Sequence, residues 1–205
     1  MKKYIPFLIF LVSCESCSET VQEYEKYVND QVPAIQYTAP TEDELEITYF
    51  HASSVLGHLN SAQLTNVSII LEVAKEENFD KFLMLAIAFK ESSFYSNVAS
   101  HTGDYGLFQI NAHWWYKKLG YKTKKEFVKS SMDPRTSAKH AVFILRDFYR
   151  FKACQGDNIF ACYNGGPKWR HSKARKVIER YQRSSIRIMR LIRERYDEWI
   201  FERSP

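Results

Sequence analysis

The chain has 205 residues, 45% of them apolar and 15% aromatic, a composition that excludes a disordered polymer and suits one domain with a real core. Its formal charge of +5 is too small to identify a partner by itself. No His-Glu-x-x-His, P-loop or Gly-x-Gly-x-x-Gly segment occurs, so nothing supports metal, nucleotide or other cofactor chemistry.

In chain order, Lys2 and Lys3 precede the apolar run from Ile5 to Val12. That run is shorter than the roughly 20 residues that cross a bilayer, so residues 1–13 read as a signal peptide. Leu11-Val12-Ser13-Cys14 resembles the bacterial lipobox. Cys14 is then the expected lipidated N-terminus of an exported lipoprotein on the periplasmic face of a bacterial membrane, with the outer membrane favoured. Two or more acyl chains anchor such a protein to the membrane without a spanning helix. The alternative is an ordinary buried or cleaved cysteine. Cys14-x-x-Cys17 has redox or zinc spacing, but no second pair accompanies it. Residues 14–60 read as the lipidated N-terminus and an acidic tether, because Lys26 is the lone base between Glu15 and Glu46.

From Ser61 the pattern becomes helical. Leu64, Val67, Ile70, Leu71 and Ala74 share one face of a helix ending near Glu77. Asp80 is placed to cap the next helix, with Phe79 and Met84 as its hydrophobic staple. From Phe82 to Phe89 that helix has almost no polar face, so it belongs at the centre of the domain and carries Glu91 out at its end. Asp133-Pro134 opens a further helix, whose inner face runs from Ala138 to Tyr149. Asp157 is placed to cap a short helix that ends at Tyr163-Asn164, with Gly165 as the left-handed terminator. Two basic helices follow, roughly Ser172 to Gln182 and Ser184 to Phe201, the second with Ile188, Ile192, Tyr196 and Trp199 inward. The class is mainly α. A domain over 61–182 precedes a basic C-terminal helix over 183–205 that packs on it or extends it. A basic end suits nucleic acid, anionic lipid or wall carboxylates, but no base-reading motif points to nucleic acid. A partly solvated helical face without a partner is the plainer alternative.

Three segments carry candidate chemistry. Glu91 combines partial burial with the negative end of a helix dipole, and both raise a carboxyl pKa toward that of a usable acid. In the loop from Ser100 to Asn111, Gly103 and Gly106 allow close backbone approach, and Gln109 is placed to face a cleft while Leu107, Phe108 and Ile110 pack. Tyr105, Trp114 and Trp115 supply faces on which sugars stack, although either tryptophan serves equally well in a core. In Tyr163-Asn164-Gly165-Gly166-Pro167, the Tyr163 hydroxyl is placed to bond the acid and Asn164 to bind an acetamido group. A plain helix end is the alternative there. Cys154 and Cys162 read equally as a local disulfide or as two buried thiols.

From about Leu64 to Tyr181 these segments together resemble the SLT-type lytic transglycosylases. The resemblance implies a lysozyme-like fold, a helical bundle around a central buried helix with a small loop and β-hairpin lobe forming a cleft. It implies Glu91 as catalytic acid and base, and it places Gln109, Tyr163 and Asn164 in substrate binding, to which Ser93, Asn111 and Tyr105 are added. The implied partner is the peptidoglycan glycan strand. The implied reaction is cleavage between N-acetylmuramic acid and N-acetylglucosamine with closure of a 1,6-anhydro ring. The chain departs from the family pattern at Asp104, Cys162 and Gly165, where alanines are usual, and lacks the proline expected after Asn111. Asp104 keeps open a muramidase that uses it as second carboxylate. A noncatalytic wall-binding or assembly protein is the alternative of another class.

Overall fold

The computed structural model describes residues 55–203. The leader, Cys14, Cys17, the tether through residue 54 and the Trp199 side chain lie outside the described residues.

Helix α1 (Ser61–Glu76) starts at Asn60, whose side chain accepts from the Gln63 amide while Gln63 bonds back to the Asn60 N–H. This reciprocal box satisfies two amides that the first turn leaves open. Helix α2 (Lys81–Ser92) is capped by Asp80, which accepts from Phe82 and Leu83 N–H. Every residue from Phe82 to Ala88 is buried, as a helix without a polar face requires. Strands β1 (Asp104–Tyr105) and β2 (Ile110–Asn111) form a small antiparallel hairpin, with Asp104 opposite Asn111. Helices α3 (Ala112–Trp115), α4 (Lys124–Ser131) and α5 (Pro134–Tyr149) follow, then α6 (Asn158–Gly165) and α7 (Arg175–Arg203). Short 3₁₀ turns, Lys152–Cys154 and Trp169–His171, flank α6. The core lies where α2 packs between α1 and α7, while α5 closes on α1 and α6 closes on α7. The arrangement is the mainly helical, lysozyme-like fold expected.

Three local expectations are corrected. The two C-terminal helices are one helix, α7, 29 residues long. Ser184 and Ser185 do not cap a second helix, because both hydroxyls donate to the Tyr181 carbonyl at 2.9 Å within the continuing turn. Asp157 stands before α6 without capping it and instead pairs with Arg190 of α7 at 3.1 Å. The left-handed residue ending α6 is Gly166, at φ 76°, and Gly165 is still helical. Gly165 is small for another reason: a Cβ there would stand 2.5 Å from Ile178 Cδ1, so its lack of a side chain lets α7 close on α6. Cys154 and Cys162 are joined by a disulfide, which ties the first 3₁₀ turn to α6.

Candidate active site

Helix α2 brings Glu91 to the surface of the core, and the chain then turns sharply. Ser93 and Phe94 both adopt left-handed φ, 50° and 65°, a conformation that is strained for a residue as bulky as phenylalanine. Two amides hold the turn in place. Gln63 donates to the Ser93 carbonyl at 2.8 Å, and buried Asn66 donates to the Phe94 carbonyl at 2.7 Å. Ser92, also buried, donates to the Leu107 carbonyl at 2.7 Å and so ties the end of α2 to the hairpin loop. Ser92 lies in the Glu91-Ser92-Ser93-Phe94 segment that carries the family resemblance, whereas Gln63 and Asn66 belong to no motif and are simply polar residues that α1 buries.

Glu91 is only partly accessible, and its carboxyl is pushed up to about 7. Burial is the largest cause, and the negative charge of Asp104 adds to it. A hydrogen bond from Tyr181 and the Lys90 ammonium act in the opposite direction. The Tyr181 hydroxyl donates to Glu91 Oε1 at 2.6 Å. This corrects the expectation for Tyr163, whose hydroxyl donates to the Phe108 carbonyl at 2.8 Å and thereby fixes the loop. Both phenols are held well above their ordinary pKa, chiefly by burial and next by the Glu91 charge, so both remain donors. The sequence signals only that Tyr181 faces inward, not what it meets. Ile178, Tyr181, Ser185, Ile188 and Ile192 recur at three- and four-residue spacing and share the inner stripe of α7.

Asp104 sits in a polar cradle. One carboxylate oxygen accepts from Ser100 at 2.7 Å and from Thr102, and the other accepts from Asn111 at 2.7 Å. Glu91 is thus enclosed by apolar structure and proton-retaining, whereas Asp104 is hydrogen-bonded at the hairpin.

The remaining expected site residues divide between structural and exposed positions. The Gln109 amide does not face an open cleft. It donates to the carbonyls of Val98 and Gly106, at 3.0 and 2.9 Å, and holds its own left-handed turn. Asn111 is likewise engaged, capping α3 through His113 N–H besides binding Thr102 and Asp104. Gly106 approaches protein instead of ligand: a Cβ there would fall 1.8 Å from the Ser131 carbonyl oxygen. Tyr105 is half-buried against the core. Ser93 and Asn164 are exposed. Trp115 meets Phe148 edge-on at 5.6 Å and belongs to the core, whereas Trp114 is 46% exposed.

The model of the transglycosylase SLT domain covers residues 68–186, more than half of the chain and all of Glu91, Asp104, Tyr163 and Tyr181. The chain belongs to the SLT transglycosylase family. Comparison with curated proteins gives no significant match. Membership supports a transglycosylase-type activity on peptidoglycan, directed at its glycosidic bonds. In this SLT domain the groups around Glu91 come from α2, the hairpin, α6 and α7, so α7 is part of the site and not an appendage.

Proposed function

We propose that the chain is a lytic transglycosylase that cleaves the β-1,4 bond between N-acetylmuramic acid and N-acetylglucosamine. The observation that carries this reading is the Glu91 carboxyl, raised to about 7 while Tyr181 fixes its orientation. A group titrating there donates and accepts protons with similar ease at neutral pH. Glu91 gives its proton to the glycosidic oxygen, and the C1–O bond breaks with its electron pair leaving on the N-acetylglucosamine oxygen. Positive charge then develops at the muramoyl C1, and the negative charge that Asp104 directs at Glu91 stabilises it electrostatically. The Glu91 carboxylate next takes the proton of the muramoyl C6 hydroxyl, whose oxygen bonds C1 and closes the 1,6-anhydro ring. The acid is restored without water.

A second reading is favoured by the Asp104 cradle. A second carboxylate beside a proton-retaining glutamic acid also suits a muramidase, in which Asp104 attacks C1 or supports attack by water. Digestion of purified peptidoglycan followed by fragment masses separates the two. Anhydro-muropeptides support transglycosylation, and reducing muramic ends support hydrolysis. Failure of the wild-type protein to release any fragment would leave the noncatalytic wall-binding reading.

We also propose residues 1–13 as a cleaved leader, Cys14 as a lipid attachment site and the acidic segment after it as a tether to the outer membrane. The lipobox-like Leu11-Val12-Ser13-Cys14 supports this. Labelled fatty acid is expected to enter the wild-type protein and not Cys14→Ser.

A further inference from the structure

Helix α7 has two unlike faces. Its inner face holds Ile178, Tyr181, Ser185 and Ile192 against the domain. On its outer face Lys176, Arg180, Arg183, Arg187 and Arg190 follow one another at three- and four-residue spacing, and all are exposed. At about 1.5 Å per residue they form a straight basic stripe roughly 20 Å long. Arg190 pairs with Asp157. Among the described residues the other four have no carboxylate within ion-pair distance; Lys176 and Arg183 only flank Glu179, which pairs with Arg175. Four like charges in a row are mutually repulsive, and the stripe is not required to hold α7 in place, because the opposite face does so.

The chemistry between the arginines narrows the partner. Arg183, Arg187 and Arg190, with Glu194 at one end, surround a shallow hollow of about 440 Å³ whose apolar lining is Ile186 and Leu191. Leu191 is 39% exposed, and Phe201, two heptads beyond Arg187 on the same side, is 82% exposed. Guanidinium forks match phosphate oxygens in pairs, and an apolar residue beside them gains only where the anion adjoins hydrocarbon. Hydrated wall carboxylates offer no such hydrocarbon, whereas the headgroup region of a bilayer does. No described helix is long and apolar enough to cross a membrane. Glu194 and Glu198 end the stripe, which concentrates the positive charge between residues 176 and 190.

We infer that the outer face of α7 docks the domain on an anionic phospholipid surface, lying parallel to it. The contact is independent of any lipid on Cys14, and it fixes the side of the domain that faces the membrane.

The test is co-sedimentation of the full-length protein with phosphatidylcholine vesicles, with and without phosphatidylglycerol, at low and physiological salt. The N-terminal apolar segment contributes alike to wild type and variant. The informative quantity is therefore the ratio of anionic to neutral partition in wild type relative to Arg180→Gln/Arg183→Gln/Arg187→Gln. At roughly fivefold per basic residue near an anionic surface, the triple change is expected to lower that ratio on the order of 100-fold, and added salt to lower the wild-type value. Thermal unfolding checks that the variant is folded. Should the triple variant unfold, the single Arg183→Gln and Arg187→Gln changes are each expected to lower the ratio about fivefold. An unchanged ratio in folded variants overturns the inference. So does loss of binding to purified peptidoglycan with the vesicle preference retained, which would make the wall the partner.

Discussion

Replacing Glu91 with glutamine is expected to make the protein more stable, and only above acidic pH. Glutamine keeps the shape and the oxygen that accepts from Tyr181, but it cannot ionise. The wild-type carboxyl titrates at about 7 when folded against an ordinary 4.5, so the folded state holds its proton more tightly than the unfolded chain. Below about pH 4.5 both states are protonated, and the two proteins have equal stability as far as this group is concerned. As pH rises toward 7 the unfolded chain ionises first, and wild-type stability falls relative to the variant by about 1.36 kcal/mol per pH unit. Above 7 the difference levels at about 3 kcal/mol, equivalent to about 6–12 °C in unfolding midpoint for a domain of this size. Urea unfolding of both proteins at several pH values between 4 and 8.5 measures the difference directly, and contributions from other titrating groups cancel. Two parallel stability profiles would refute the reasoning, because they would mean that burial does not oppose ionisation of Glu91.

Other expectations follow from the same geometry. Tyr181→Phe removes a donor to the Glu91 carboxylate, so the alkaline limb of the pH–activity profile should move up by about one unit. Asp104→Asn removes a negative charge and should move that limb down, with activity falling in both variants. Gly106→Ala drives a Cβ into the Ser131 carbonyl at a positive φ and should destabilise the domain by about 4 kcal/mol or more, read from urea midpoints. Buried His140 is held at about 4 against an ordinary 6.5, so it remains neutral in the fold while the unfolded chain gains a proton. Wild-type stability should therefore fall as pH drops from 6.5 toward 4, and His140→Gln should flatten that acid limb in the same urea titration.

The helical skeleton was legible because its signals are local. Asp80 and Asp133 cap where their chemistry places them, and the run from Phe82 to Phe89 has no face to offer water. Glu91 followed from the same logic, since the end of a buried helix dictates both its exposure and its pKa direction. What escaped was long-range. Tyr181 lies ninety residues from Glu91, and nothing local distinguishes it from Tyr163, whose hydroxyl serves the Phe108 carbonyl. Gln109 and Asn111 look like ligand-binding amides in sequence, yet left-handed backbone and the Asp104 carboxylate consume their hydrogen bonds within the loop. The division of α7 into two helices near residue 183 fails because the Ser184 and Ser185 hydroxyls bond backward to the Tyr181 carbonyl within one continuous helix.

The central claim is that this SLT domain breaks wall glycan with Glu91 as its proton donor. Release of soluble fragments from purified peptidoglycan, followed for wild type and Glu91→Gln at neutral pH, tests it most directly. The glutamine variant is expected to be folded and to release fragments at least 100-fold more slowly, the loss typical of removing a general acid. Release at the wild-type rate would contradict the claim and move the acid to another residue.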